Sequence, residues 1–430
     1  MEKLAGQKVL DALQDRFSAF EAGLNGHAQS DAHRIRKNAF DRLMKSGLPH
    51  AKDEEYKFTN LTKTLEKKVS FGESESGISS LSTTGVDISE LDAYRLVFVN
   101  GQFDAAASST IEIQGVSIAP LEDVLYREEL GFNQEASASE DSFVAMNTAF
   151  AQHGISIQVA PKTIIDKPIF LLFIGDQEDY NVRNLLSFGD LSQATIIEKF
   201  DSASGAKFSN AVNEISVGSQ ANITYFKIEN DTADSIHFAS TFVSQQKDSK
   251  FTANTIALNG EMVRNNLHIK LEGEGCEAYM NGLYLLQGKT HVDNHTVVDH
   301  IQPNCYSNEL YKGIMDERSK GVFNGKIFVR QAAQKTNAFQ SNKNILLTND
   351  ATVNTKPQLE IWADDVKCSH GCTTGQLDED ALFYLKARGI KHHTAMAMLL
   401  HAFASDVMEN LENKAVQDYV EAIITERLEK

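Results

Sequence analysis

The spacing of apolar residues changes twice along this chain, and each change marks a different kind of element. Near the N-terminus Leu10, Leu13, Phe17, Phe20 and Leu24 recur at alternating steps of three and four. That spacing builds one apolar stripe on a helix. A second helix carries Ile35, Phe40, Leu43 and Met44 and stops at Ser46-Gly47-Leu48-Pro49, where glycine can cap and proline cannot continue. From about residue 92 to 375 the period shortens to two. Runs such as Glu214-Ile215-Ser216-Val217, Ile223 to Ile228, and Val322 to Val329 alternate β-branched or aromatic residues with polar ones. Turn residues punctuate them at Gly218, Asn222, Gly260, Gly275, Gly288, Asn349 and Asp350. The tail returns to helical spacing. Asp378 is suited to an N-cap, with Glu379 and Asp380 in the first turn and Arg388-Gly389 as the stop. A second tail helix steps through Leu399, Phe403, Val407 and Leu411, and a third presents Val416, Tyr419, Val420, Ile423 and Ile424 on one face. Adjacent His392 and His393 fall at a helix start.

This pattern predicts a mainly β protein in three regions. Residues 1–90 form a helical region ending in a Ser/Gly-rich linker (about 70 to 90), residues 91–375 form the β core, and residues 376–430 form a C-terminal helical region. So long a run of strand, with almost no helical period, exceeds an ordinary sandwich and leaves a large barrel, a propeller or a stacked β-helix. Blade signatures are absent from the sequence. The turn residues sit at irregular spacing, as when each coil has its own loop lengths, and this favours the β-helix. The tail helices suit either of two roles, capping the β stack or docking a partner.

Composition narrows the function. Of 430 residues, 42% are hydrophobic, which suffices for a large core, but no apolar run reaches the roughly 18–20 residues that cross a bilayer. The N-terminal Met1-Glu2-Lys3-Leu4 lacks the layout of a signal peptide, so the expectation is a soluble, cytosolic protein. A net charge of −18 argues against nucleic acid and anionic membrane as partners. Four cysteines are too few for a disulfide framework, and read as free thiols or as metal and sulfur ligands.

The densest chemistry is Lys367-Cys368-Ser369-His370-Gly371-Cys372, before the tail. Two thiols and an imidazole could hold a soft metal or carry sulfur, and on an extended strand all three would face one side. The competing structural reading is a pair of buried cysteines with a satisfied core histidine. A second cluster, His291, His295 and His300 with Asp293 and Asp299, lacks the spacing of a helical metal motif and suits hydrogen bonding better than metal. Gly282 with Gly288-Lys289-Thr290 imitates a phosphate-binding loop, but five residues separate the glycines instead of four, and strand is expected on both sides.

The stretch from Val322 to Ile390 resembles the SufB/SufD family of iron–sulfur cluster assembly scaffolds, and it contains both Asn337-Ala338-Phe339-Gln340 and the Cys368 to Cys372 motif. Thr290 to Ile314 continues the resemblance, and GLPHAKDEEYKFTNL (47–61) is similar to the family's N-terminal helical region. SufB-type chains place a sulfur-accepting cysteine where this chain has Ser341, and a glutamate where it has Gly371. With both groups missing and KCSHG present, the resemblance is to the SufD branch.

The resemblance implies a right-handed parallel β-helix flanked by helical regions. It also implies a heterodimer with SufB through the β-helix, docking of the SufC ATPase on the C-terminal helices, and no catalysis by this chain. No cofactor would be permanently bound. An iron or iron–sulfur cluster would rest transiently at the SufB–SufD interface, with His370 and Cys368 as candidate ligands and Cys372, where the family more often has alanine, as a further one. A homodimer in isolation belongs to the same set of expectations. The alternatives are a SufB-like scaffold carrying the cluster itself, or a β-helix enzyme acting on polysaccharide, which would need a carboxylate or basic groove. Removing the region after residue 376 is expected to abolish SufC binding and preserve SufB pairing.

Overall fold

The computed structural model describes residues 5–24, 26–71, 86–127, 130–202 and 208–428. Most of the linker expected between 70 and 90 lies outside the described residues.

Helices α1 (Gln7–Ala22), α2 (Asp31–Ser46) and α3 (Leu61–Lys68) open the chain. Their starts and stops follow local chemistry. The Ser30 hydroxyl accepts from the His33 amide at the start of α2, and Gly47 ends it at φ 74°, a conformation glycine adopts without penalty. The apolar stripe points inward, with Leu10, Leu13, Phe17 and Leu24 buried and Phe20 partly so.

From Tyr94 to Gly375 the chain winds into a parallel β-solenoid of about seven turns. Strands alternate between two sheets, one of ten strands and one of nine, so each coil adds one strand to each sheet. Pairing between successive coils is parallel and in register, as where Tyr306–Met315 meets Asn337–Leu346 residue for residue. Among the described residues, antiparallel strands appear only at the N-terminal end: Gln102–Asp104 folds onto Tyr94–Val99, and Val116–Pro120 onto Ile155–Val159.

One corner of the solenoid repeats in every coil. Lys162, Leu191, Gln220, Asp248, Gly275, Asn304 and Lys335 all adopt positive φ, between 56° and 74°. Each sends its amide to a carbonyl in the next coil, from Lys162 to Asp190 (2.7 Å) through to Lys335 to Asp365 (2.6 Å). The turns are therefore regular at this corner, contrary to the irregular spacing expected from the sequence. The regularity is written in mixed side chains that tolerate the left-handed bend at a cost of about 1–2 kcal/mol each, with only one glycine among them.

Both outer faces of the solenoid are covered, which explains strands such as Ile236–Gln245 that are buried at every position. The N-terminal helices, with the short helices α4 (Leu121–Val124) and α5 (Ser142–Ala149), pack over the nine-stranded sheet through Phe143, Phe208, Phe238 and Phe242. Helices α4 and α5 interrupt a span whose spacing predicts only strand. Every residue of α5 after Ser142 is buried, so it has no solvent-facing polar side to produce a helical period.

Over the ten-stranded sheet lie α6 (Glu379–Ala387), α7 (His392–Met408) and α8 (Lys414–Leu428). Asp378 caps α6 as expected, accepting from the Asp380 and Ala381 amides. On α7 the buried line runs through Leu400, Ala404, Val407 and Met408, while Leu399 and Phe403 are only partly covered. Steps of four outrun the helical repeat of 3.6, so the expected line drifts off the true contact face.

Candidate functional site

Inside the solenoid, even-numbered positions of Asn337–Leu346 face the lumen: Ala338, Gln340 and Asn342 are all buried. The last strand, Lys367–Gly375, pairs with it so that Cys368 lies on Ala338, His370 on Gln340 and Cys372 on Asn342. The three candidate residues therefore share one side of the strand, as alternation requires, and continue the lumen-facing rows. Among the described residues, nothing stacks on them from beyond. His370 and Cys372 are exposed and Cys368 is half-buried.

Each candidate has its own surroundings. Cys368 packs at the edge of an apolar cluster of Ile327, Val329, Ala333, Ala338 and Ala363, and this burial pushes its thiol up. The Sγ of Cys372 lies 2.7 Å from the Thr355 hydroxyl. Residues two apart on a strand are separated by about 6.6 Å, so Cys368 and Cys372 stand about 13 Å apart and cannot share one ion. Among the described residues, no three His, Cys, Asp or Glu side chains converge as a metal site. The donor set is soft and, within this chain, incomplete.

Behind His370 the lumen is polar. The Gln340 amide donates to Glu309 (2.7 Å), one coil further in. Gly325, on the facing sheet, makes room for that amide, since a Cβ there would sit 2.1 Å from Gln340 Nε2. Burial pushes the Glu309 carboxyl up to about 7, against the hydrogen bonds from Thr296 and Gln340. A carboxyl raised in the folded state stabilises fully below its unfolded value, near 4.5, and loses that contribution as pH rises to 7. Glu309→Gln is therefore expected to be the more stable form at pH 8, by about 3 kcal/mol, and to match the parent near pH 4.5. Thermal melting at the two pH values reads this directly, and a gap independent of pH would refute it.

Ser341 and Gly371 lie directly opposite each other on the paired strands. They occupy the face away from His370, and a Cβ added at Gly371 would meet nothing within 4 Å.

The second cluster separates. His300 faces the lumen and bonds Ser307 (2.9 Å), whereas His291 and His295 face outward beneath the N-terminal region. His291 meets the Thr59 hydroxyl (2.9 Å). Burial lowers both His291 and His300 to about 4. His295 bridges Asp293 (2.9 Å) and Glu55 (3.3 Å), and its hydrogen bond, with that of Lys326, draws Glu55 down to about 2. Burial alone would raise Asp293, but Arg264 (2.7 Å) and His295 overcome it and hold the carboxyl far below its usual range. These are structural pairs clamping residues 55–59 to the sheet. An adjoining cavity of about 720 Å³ is lined in part by Glu55, Arg264, His295 and Lys326 of the same network. The Gly288 turn joins two strands without feeding a helix, and the Tyr311 ring occupies the space over Gly282, which excludes a phosphate-binding loop.

Sequence reasoning passed over Cys276 and Cys305. They are buried and stacked in successive coils, and both thiols approach the Gly273 carbonyl, at 3.2 and 3.4 Å. Their spacing of one coil is the signal that could have paired them.

Two family models match the chain. The SufBD protein N-terminal region covers residues 7–171, and the SUF system FeS cluster assembly, SufBD core domain covers residues 173–403. The iron–sulfur cluster assembly protein SufD of Escherichia coli is 32% identical over 426 residues, 97% of each chain. An iron–sulfur cluster assembly SufBD family protein of Synechocystis is 32% identical over 430 residues, covering 95% of this chain and 93% of its own. SufD of Bacillus subtilis is 23% identical over 299 residues, 67% of each chain.

Proposed function

Because this chain belongs to the SufB/SufD family and has its role in iron–sulfur cluster assembly within the SUF system, we propose that it serves there as a non-catalytic SufD-type scaffold subunit. It pairs with a SufB-type paralogue at the open end of the solenoid and docks the SufC ATPase on its C-terminal helices. A nascent cluster forms transiently at the shared end.

The observation that carries this reading is the placement of Cys368, His370 and Cys372 on the terminal strand, in lumen-facing rows that no further coil covers. The strand edges there are templates for another chain. Thr352–Ile361 and Lys367–Gly375 each have a neighbour on one side only, and unpaired backbone groups at a sheet edge favour pairing. Pro357 lies in the first of them, a residue that sheets tolerate at an edge. An incomplete donor set beside two open edges is what a site completed by a partner requires. Ser341 and Gly371 support the SufD-type reading over a SufB-type one, because neither side chain can accept sulfur or bind iron as a thiolate or carboxylate would.

The test is the purified chain mixed with SufB and SufC partners, as parent and as His370→Ala. The parent should form a stable complex that assembles a cluster. His370→Ala should keep its melting temperature and its partners, because the side chain is exposed, and should lose most cluster formation. Unimpaired assembly by the variant, or no complex from the parent, would refute the proposal.

A further inference from the structure

We infer that Gln340 is the residue that positions His370, through a ladder of three side chains stacked at one register across successive coils. The inference rests on the reading above, that His370 belongs to the shared cluster site. Glu309, Gln340 and His370 occupy the same position on three neighbouring strands, each paired residue for residue with the next. Neighbouring strands lie about 4.8 Å apart, so each side chain is within hydrogen-bonding reach of the one above.

The orientation of the amide is fixed from below. Gln340 Nε2 donates to the Glu309 carboxyl (2.7 Å) and lies in the space left by Gly325. Its other end is free: Gln340 Oε1 is buried and has no hydrogen-bond partner, in a residue only 3% exposed. A buried carbonyl oxygen without a donor is costly, and the nearest rung that can supply one is His370.

An imidazole that binds a soft metal through one nitrogen is oriented by what its other N–H meets. When iron and the partner chain order His370 over the lumen, its inward N–H donates to Gln340 Oε1. The opposite nitrogen, with its lone pair, then points out of the open end toward the site. Glu309 holds Gln340, and Gln340 holds His370. Neither Glu309 nor Gln340 touches the metal.

Ferrous iron binding to the full chain in complex with its SufB-type partner, measured anaerobically by chelator competition, tests this. Gln340→Met keeps the volume and removes the acceptor, and should weaken iron binding about 10–100-fold. Gln340→Glu combined with Glu309→Gln exchanges the two groups, so that an amide still donates to a carboxyl and an oxygen still faces His370, and should bind within about threefold of the parent, a rescue that a merely structural role would not give. Gly325→Ala leaves every polar group in place but pushes the amide aside, and should reproduce the loss even where Gln340→Met folds poorly. If His370→Ala weakens binding while Gln340→Met and Gly325→Ala do not, the positioning role is overturned and the site stands. If His370→Ala itself leaves binding unchanged, the site reading fails, and the ladder with it.

Discussion

Replacing Arg183 with methionine should lower stability by about 3–5 kcal/mol, a large part of what a domain has to lose. The guanidinium is fully buried on the outer face of the nine-stranded sheet. It bonds Glu214 through Nε (3.0 Å) and Nη2 (2.5 Å), and reaches Asn147, Thr148 and Asn133 at 3.1–3.3 Å. Glu214 in turn accepts from the amides of Asn133, Glu135 and Ala136. One ion pair therefore fastens the segment leading into α5 onto the solenoid. Removing the cation leaves a buried carboxylate with only backbone donors, and also removes the charge over the Phe132 ring (5.2 Å). Chemical denaturation of the single variants and of Arg183→Met with Glu214→Leu would close the cycle. The double variant should recover only the part due to the stranded charge, since Glu214→Leu leaves the Asn133, Glu135 and Ala136 amides without their acceptor. A single-variant cost under about 1 kcal/mol would contradict the arrangement.

Deleting residues 376–430 should yield insoluble protein. Helices α7 and α8 and the loop between them cover Ile228, Ile256, Leu283, Leu285 and Ile314 on the ten-stranded sheet with Leu400, Val407, Leu411, Val416, Val420 and Ile424. Each large apolar side chain returned to water forfeits about 1.5–3 kcal/mol, so the five on the sheet alone approach the whole net stability of a domain. Lys312 would also lose the Phe403 carbonyl and Asp406, both at 2.6 Å. The deletion expected from sequence to separate ATPase docking from SufB pairing would therefore destroy both. The informative change is smaller. Helix α6 has no buried residue, and its Phe383 and Tyr384 are 71% and 57% exposed. Phe383→Ser with Tyr384→Ser should leave the melting temperature unchanged and abolish SufC capture in a pull-down. A soluble, monodisperse deletion that still pairs with SufB would overturn the first expectation, and undiminished SufC capture by the double variant the second.

What could be read from sequence followed how directly side chains report their environment. Leu10, Leu13 and Phe17 show a helical stripe because α1 has one wet face. The Cys368, His370 and Cys372 row was legible because strand alternation fixes sides without knowledge of the fold. The ladder beneath it was not. Gln340 and Glu309 lie 31 residues apart and meet only through the length of a coil, which no local pattern encodes. Helix α5 was invisible for a different reason, being wrapped by core on every side. The corner at Lys162, Leu191 and Gln220 was missed because its left-handed bends rarely use glycine.

A parallel solenoid has two ends with complementary edges, and nothing in its coils prevents copies from stacking head to tail without limit. In this chain the two ends differ. At the N-terminal end Gln102–Asp104 and Val116–Pro120 lie antiparallel across the first coil, so a parallel strand arriving there finds its edge occupied. The C-terminal end has no such stop. Pairing through the C-terminal edges would join two like ends and give a closed pair, whereas a head-to-tail filament would need a strand to add at the antiparallel N-terminal edge.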